Sequence, residues 1–453
     1  MKEELPRYPA YQKSRISWAK MIPLSWDTGW LGECSRSIQT GPFGSQLHAS
    51  DYVCEGIPVI NPSNIANGKV VADWDNTINE AKAIALARHR FELGDIVFGR
   101  RGEMGRCAAI AQDEIGWLCG TGSLLVRLKQ HRLLPDFAVL LLSQASVRDM
   151  LILESVGATM DNLNTRILAK IRIPVPPINE QIAILAFLDR ETAKIDRLMS
   201  VRRKQIETLQ EQRTAVIHHA VTKGLDPQAE MKPSGVEWLG DIPANWVIVP
   251  LWTVLKMIVS NVDKHSLENE IPVRLCNYVD VYKNEQIDRS LNFMEATATQ
   301  IEIKKFTLHN GDVIITKDSE SPHDIGVPSI VSETIDSLVC GYHLAILRSH
   351  GNISPNYLFR LMQTTYLRCY LATKSQGVTR FGLSLNAITR CPIPLPPLPI
   401  QNDITIHINT EIQKLNTLIS KYQRELELLA EYRAALISHA VTGKIDVRGL
   451  VEV

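Results

Sequence analysis

Residues 173–199 read IPVPPINEQIAILAFLDRETAKIDRLM, and residues 393–419, 220 positions later, read IPLPPLPIQNDITIHINTEIQKLNTLI. In both, a proline cluster (174–177 and 394–399) precedes a long run of apolar residues at helical spacing. Proline cannot continue a strand or helix but can begin a helix, so each cluster marks a helix start. The first run is written in heptads: Leu185, Thr192, Met199, Ile206, Arg213 and Ala220 hold one position, and Leu188, Ile195, Arg202, Leu209 and Val216 the other. The second is cleaner, with Ile412, Ile419 and Leu426 beside Ile408, Leu415, Tyr422, Leu429 and Leu436. Gly224 and Gly443 follow as helix exits. One such stripe alone would pack on its own domain. Two matching stripes bury most simply against each other, and antiparallel packing would put a globule at each end. At about 1.5 Å per residue, a helix of about 40 residues spans on the order of 60 Å, so the pair is expected to act as a spacer.

The repeat covers the whole chain, and a repeat of this length decides the architecture. ISWAKMIPLSW (16–26) lines up with VEWLGDIPANW (236–246), matching Trp18 with Trp238, Pro23 with Pro243 and Trp26 with Trp246. Gly94 and Asp95 correspond to Gly311 and Asp312, and Cys119 and Gly120 to Cys340 and Gly341, with small insertions between. From Pro135 against Pro355 onward no gap is needed: Gly157 and Thr159 meet Gly377 and Thr379, Gln181 meets Gln401, and AVIHHAVT (215–222) meets ALISHAVT (435–442). The helical third of each copy is similar. The preceding 150 or so residues differ at most positions, as in GRRGEMGRC (99–107) against TKDSESPHDIG (316–326).

Short β-rich runs such as GDIVFG, SLLVRL, GDVIIT and LAILRS alternate with turn signals in roughly residues 20–170 and 240–390. One helix, around 134–152 and again around 354–372, is expected to follow in each. The expected fold is therefore a mixed α/β (α+β) domain in two pseudo-symmetric copies, joined by two long antiparallel coiled-coil helices. The boundaries read 1–178 for the first globular domain, 179–224 for the first spacer helix, 225–398 and 399–443 for the second pair, and 444–453 for a C-terminal tail.

The 453 residues suit two or three domains, and 45% hydrophobic with 22% charged residues is a globular rather than a disordered balance. Lys plus Arg and Asp plus Glu are both 49, so any face for an anionic partner must be local. No apolar run has signal-peptide or membrane-span length, which makes a cytoplasmic protein without membrane contact the expectation. The eight cysteines are scattered with no C-x-x-C pair and read as reduced, mostly buried thiols.

No phosphate-cradling glycine motif follows a strand, so the chain itself is expected to hold no cofactor and no metal, and to have no catalytic residue. NPSN (61–64) is only faintly similar to the N-P-P-aromatic loop of amino-methyltransferases, lacks the aromatic, and reads as a turn. Asp288, Glu302 and Lys304 could be written as a nuclease triad, but such spacing arises by chance. His218, His219 and His439 sit near helix ends and read as caps or packing. QTGPFGSQL (39–47) is a tight loop in which Ser45 and Gln46 present short polar groups suited to phosphate or base edges; a plain turn is the alternative. FGRRGEMGR (98–106) extends Arg100, Arg101 and Arg106 from a glycine-rich loop, where a solvated charge cluster is the alternative to groove contact. In the second copy the comparable cations are Lys304, Lys305, Lys317, Lys374 and Arg380.

The duplication, the I-P-x-x-W openings, GPFGS (41–45), the IPxPP lead-ins to a Gln-bearing helix, and the closing AVIHHAVTKG and ALISHAVTGK together resemble specificity subunits of type I restriction-modification systems. The resemblance spans essentially the whole chain. It implies a non-catalytic subunit whose two variable domains each read half of a split double-stranded DNA site, with helices that dock two modification subunits. Those partners would supply S-adenosylmethionine and adenine methylation, with or without a motor-nuclease subunit using ATP and Mg. The second copy departs from the pattern: after WTVLKMIVS (252–260) there is no GPFGS. A structural adaptor built on the same helices, and a self-contained nuclease using Glu302 and Lys304, are the competing classes.

Overall fold

In the computed structural model, which describes residues 5–102, 104–155, 163–237 and 239–451, the two proline-led stretches become helices α1 (Ile178–Lys223, 46 residues) and α2 (Leu398–Val441, 44 residues). Trp238, Gly157 and Thr159 lie outside the described residues. The chain divides into two compact units: residues 1–201 with 425–453, and residues 202–424. Every position written above into the two heptads is buried or half-buried. Both helices end on glycine, at Gly224 with φ 79° and Gly443 with φ 73°, a backbone state that costs a residue with a Cβ and not glycine.

In the first unit, β1 (Ser35–Thr40), β3 (Ile96–Gly99), β4 (Cys107–Ala109) and β6 (Ser123–Leu128) form an antiparallel sheet in the order β4-β3-β6-β1. A second sheet pairs β2 (Ile57–Ile60) in parallel with β5 (Leu118–Cys119). The central strands are apolar on both faces because both faces are covered. Ile96, Phe98, Leu124 and Val126 enter the main core with the helices, while Val97 and Leu125 turn the other way into a smaller core with Ile60 and Cys119. The lead-in strand Arg172–Val175 pairs with Asp27–Trp30 and delivers the chain to α1. Here α1 and α2 run antiparallel: Arg190 reaches the Leu450 carbonyl, and one turn and a half later Asp196 pairs with Arg433 at 2.9 Å. Trp26, buried, donates to Glu180 of α1 at 2.7 Å, and Tyr8 donates to the same oxygen at 2.9 Å.

The second unit repeats this plan. Here β7 (Leu255–Val259), β9 (Val313–Thr316), β10 (Pro328–Val331) and β12 (Leu344–Ser349), with Gln286–Ile287 at one edge, form a sheet in the order β7-β12-β9-β10. β8 (Ile271–Cys276) pairs in parallel with β11 (Leu338–Cys340). Val313, Ile315, Ala345 and Leu347 face the helices, and Ile314, Leu344 and Ile346 face the second core. The Gly-Asp pair of each copy has one role. Asp95 accepts the Glu92 N–H and pairs with Arg127 across the sheet at 3.3 Å; Asp312 accepts the His309 N–H and pairs with Arg348 at 2.6 Å.

The single helix expected after each sheet is two. Pro135–Leu142 and Ala145–Ser155 are broken at Ser143 and Gln144, and Pro355–Met362 and Thr365–Lys374 at Gln363 and Thr364. Polar side chains at the break bond the last turn's carbonyls: Gln144 Nε2 donates to Leu140 O at 2.7 Å and Thr364 Oγ1 to Leu361 O at 2.7 Å. Such local bonds compete with helix continuation, which apolar periodicity alone does not report.

Gln181 and Gln401 are fully buried and make the same three bonds. Gln181 Oε1 accepts the Leu134 N–H at 2.8 Å, and Nε2 donates to Arg132 O at 2.9 Å and Pro176 O at 2.8 Å. Gln401 Oε1 accepts the Ser354 N–H at 2.8 Å, and Nε2 donates to Asn352 O at 2.7 Å and Pro396 O at 2.8 Å. Replacing either by alanine removes the partner of three backbone groups, of which the proline carbonyl is buried and the other two are part-buried. Gln181→Ala and Gln401→Ala are each expected to lower stability by about 2–4 kcal/mol, read by denaturant unfolding of the full chain; a change below about 0.5 kcal/mol would refute that role.

Candidate nucleic-acid interface

In the first unit the predicted loops meet at one end of the sheet. Gly41 follows β1, its N–H bonds Ser123 O at 3.0 Å, and a Cβ there would overlap the Gly120 carbonyl, so only glycine lets the loop cross this close. Beyond it, Gln46 turns inward: its Oε1 accepts the Phe43 N–H at 3.0 Å and its own N–H donates to Phe43 O at 2.8 Å. Ser45 and the Phe43 ring are left exposed at the loop tip. The Asn61–Asn64 stretch is a turn in which the Asn61 N–H bonds Asn64 Oδ1 at 3.0 Å, and it packs behind Gly120 and Gly122.

Arg100, one residue past β3, is half-buried. Its N–H donates to Gly122 O at 2.9 Å, its carbonyl accepts the Leu163 N–H at 3.0 Å, and its Nε donates to Leu163 O at 3.2 Å. Burial, then the neighbouring Arg101 charge, lowers its proton affinity from the ordinary guanidinium value. Arg100 therefore braces the loop, while Arg101 and Arg106 are exposed on it.

The second unit places Lys317 at the same point of the fold. Its N–H donates to His343 O at 2.8 Å and its carbonyl accepts the Leu383 N–H at 3.1 Å, the backbone bonds that Arg100 makes to Gly122 and Leu163. Around it stands a polar cluster. Lys317 Nζ lies 3.0 Å from Asp318 Oδ2, Asp318 Oδ2 lies 2.7 Å from His343 Nδ1, and Arg380 Nη2 lies 2.8 Å from His343 Nε2. Burial works against the Asp318 charge, but the bonds from His343 and Lys317 outweigh it and hold the carboxyl below its usual range. Lys374 ends the helix Thr365–Lys374, 5.8 Å over the Tyr370 ring. Lys304 and Lys305 are exposed in the last turn of the helix Gln300–Phe306. No hydrogen bond among the described residues ties these three lysines to the cluster.

Sequence reading overlooked Asp318, Tyr342 and His343. The available signal was GYH (341–343) standing where the first copy has GTG (120–122). The loop corresponding to GPFGS begins at Ser260, whose N–H bonds Leu344 O as Gly41 bonds Ser123 O. The carboxylates of the nuclease alternative are engaged locally: Glu302 accepts from the Thr299 hydroxyl at 2.7 Å as a helix cap, and Asp288 accepts from the Ser290 hydroxyl. Among the described residues no three His, Cys, Asp or Glu side chains gather as a metal site. His218 is half-buried edge-on to Tyr366, and burial lowers its pKa.

The model of the type I restriction modification DNA specificity domain matches residues 40–208 and 277–428. The chain belongs to the type I specificity family. It is a DNA sequence-recognition subunit of the type I restriction-modification class, and specificity subunits are not themselves catalytic. It is similar to the putative type I restriction enzyme MjaX specificity subunit of Methanocaldococcus jannaschii, with 22% identity over 94% of this chain and 95% of that one. It is 20% identical to the EcoKI specificity subunit of Escherichia coli K12, over 96% and 92% of the two chains. A chain from a structure on complex assembly and conformational transition of the type I R-M system shares the fold at a TM-score of 0.71, with 17% identity over 94% of this chain and 99% of that one. The HsdS subunit of Thermoanaerobacter tengcongensis matches at 0.54, with 18% identity over 94% and 98%. No helix among the described residues is long and apolar enough to cross a membrane.

The two neighbouring arginines of this specificity subunit separate by role. Arg100→Ala is expected to cost about 1–2 kcal/mol of stability through its bond to Leu163, and Arg101→Ala less than about 0.5 kcal/mol, compared in parallel thermal melts. Equal losses would mean that Arg100 does not brace the loop.

Proposed function

We propose that the chain reads an asymmetric, bipartite double-stranded DNA site, one half per unit, and that its helices dock two modification subunits that methylate adenine with S-adenosylmethionine. The observation that carries this reading is the equivalence of Arg100 and Lys317: cations with the same backbone bonds at the same strand end, on loops of unrelated sequence. A shared frame with divergent ends suits a reader of two different half-sites. Ser45, Arg101 and Arg106 in one unit, and Lys317 and Arg380 in the other, are the proposed groove contacts. Lys304, Lys305 and Lys374 are the proposed phosphate contacts, and Gln46 and Arg100 shape the loops that carry the rest. Zero formal charge fits an assembly in which partner subunits share the phosphate contacts. The fold likeness to a chain from a structure on type I complex assembly supports such partners. A motor-nuclease subunit using ATP and Mg completes the assembly where restriction accompanies modification.

Expressed with its modification subunit in a methylation-free host, the chain is expected to produce adenine methylation at a split, asymmetric motif. Exchanging residues 20–170 for those of another specificity subunit should change one half of that motif and leave the other intact. A motif that persists without the chain, given a folded and active partner, would instead favour a structural adaptor.

A further inference from the structure

Residues 376–382 of the second unit form a closed hairpin: the Gln376 N–H donates to Gly382 O at 3.0 Å and the Gly382 N–H to Gln376 O at 2.9 Å. Gly377 has φ 142°, and a Cβ there would overlap the Arg380 carbonyl, so the turn that presents Arg380 requires glycine. The hairpin docks as a two-residue ladder, Phe381 and Gly382 against Ser319 and Asp318.

Arg380 is exposed yet held. A guanidinium only donates, so His343 Nε2 must accept from Arg380, which leaves the ring proton on Nδ1 to donate to Asp318. Asp318 is anchored in turn by Lys317. His343 reaches this position through a left-handed backbone, φ 70°, with its ring against Tyr342 at 3.5 Å between centroids. The relay occupies one of five guanidinium N–H groups, and the other four have no protein partner among the described residues. An oriented fork of donors has already lost part of the entropy that binding would otherwise cost. A pair of phosphate oxygens can take the same fork, and the salt dependence of binding separates the two. Among base edges in the major groove, only guanine offers two acceptors side by side, O6 and N7, to a group that is all donor. The first unit has Gly122 at the place of His343, so the relay is particular to the second unit.

We infer that Arg380 reads a guanine in the half-site taken by the second unit, with His343 and Asp318 as its positioning residues. This rests on the bipartite reading above. The test uses the complex with its modification subunit and duplexes carrying the mapped site, with each guanine replaced singly by 7-deazaguanine, which lacks the N7 acceptor. The wild-type complex should lose roughly 10-fold in affinity at one guanine of that half. Arg380→Gln should bind the native site roughly 10- to 100-fold more weakly and be indifferent to 7-deazaguanine at that position, with the penalties in the other half unchanged. His343→Phe and Asp318→Asn should shrink the same single penalty, and His343→Gln, which restores an acceptor, should recover part of it. A merely structural role would weaken binding evenly at every guanine. Unchanged melting and co-purification with the partner establish that each variant is folded. The inference is overturned by a half-site without guanine, by Arg380→Gln keeping the wild-type penalties, or by a uniform loss with a shallower salt dependence, the mark of a phosphate contact. Failure of the bipartite reading looks different: exchanging residues 240–390 would leave the motif unchanged.

Discussion

The carboxamide of Gln181, buried in the first turn of α1, answers a problem that the proline cluster creates. Pro176 follows the strand Arg172–Val175, and its carbonyl and that of Arg132 need donors where proline supplies none. The two amide hydrogens bond both carbonyls, and the amide oxygen takes the Leu134 N–H at the start of the next helix. Strand, sheet-covering helix and long helix are locked at one buried junction, and Gln401 repeats it. A buried polar group of this kind stabilises only when every bond is made, which ties each long helix to its globule in a single geometry. The loops at the far ends of the strands inherit that geometry.

The two units differ most where the frame stops. Asp95 with Arg127 and Asp312 with Arg348 hold the sheets in the same way, and Arg100 and Lys317 leave their strands on the same backbone bonds. One residue pair later the chemistry parts: Gly122 in the first unit bears no side chain, and His343 in the second carries a bonded relay to Arg380. Connecting loops tolerate such variation better than the strands they join.

The helices are also less alike than their heptads. In the first unit Asp196 pairs with Arg433, but its counterpart in the second unit, Asn416, has no charge to offer Arg213. Arg213 pairs with Glu285 of the globule instead, and Glu285 also takes Arg360 at 3.3 Å. Burial, then the Arg213 charge, pushes Arg360 down to about 10. The second unit thus fastens its helices to its sheet through an Arg-Glu-Arg chain, and the first fastens helix to helix.

Duplication, fold class and the helical frame were legible in the sequence because they rest on periodicity and on residues at fixed offsets, which local physics reads directly. Arg100 and Lys317 were legible as cations after strands, and Gly94-Asp95 and Gln181 as repeated positions. Their roles were not: Gln46 and Arg100 turn inward, and the break at Ser143 hides within an apolar run. The relay was invisible because Asp318, His343 and Arg380 stand 25 and 37 residues apart and meet only when β9, β12 and the 376–382 hairpin reach one edge. Sequence by itself determined what each element is, through side-chain pattern and backbone preference. Tertiary structure decided which side chains share a surface, since hydrogen bonds between distant residues depend on distances that no local pattern carries.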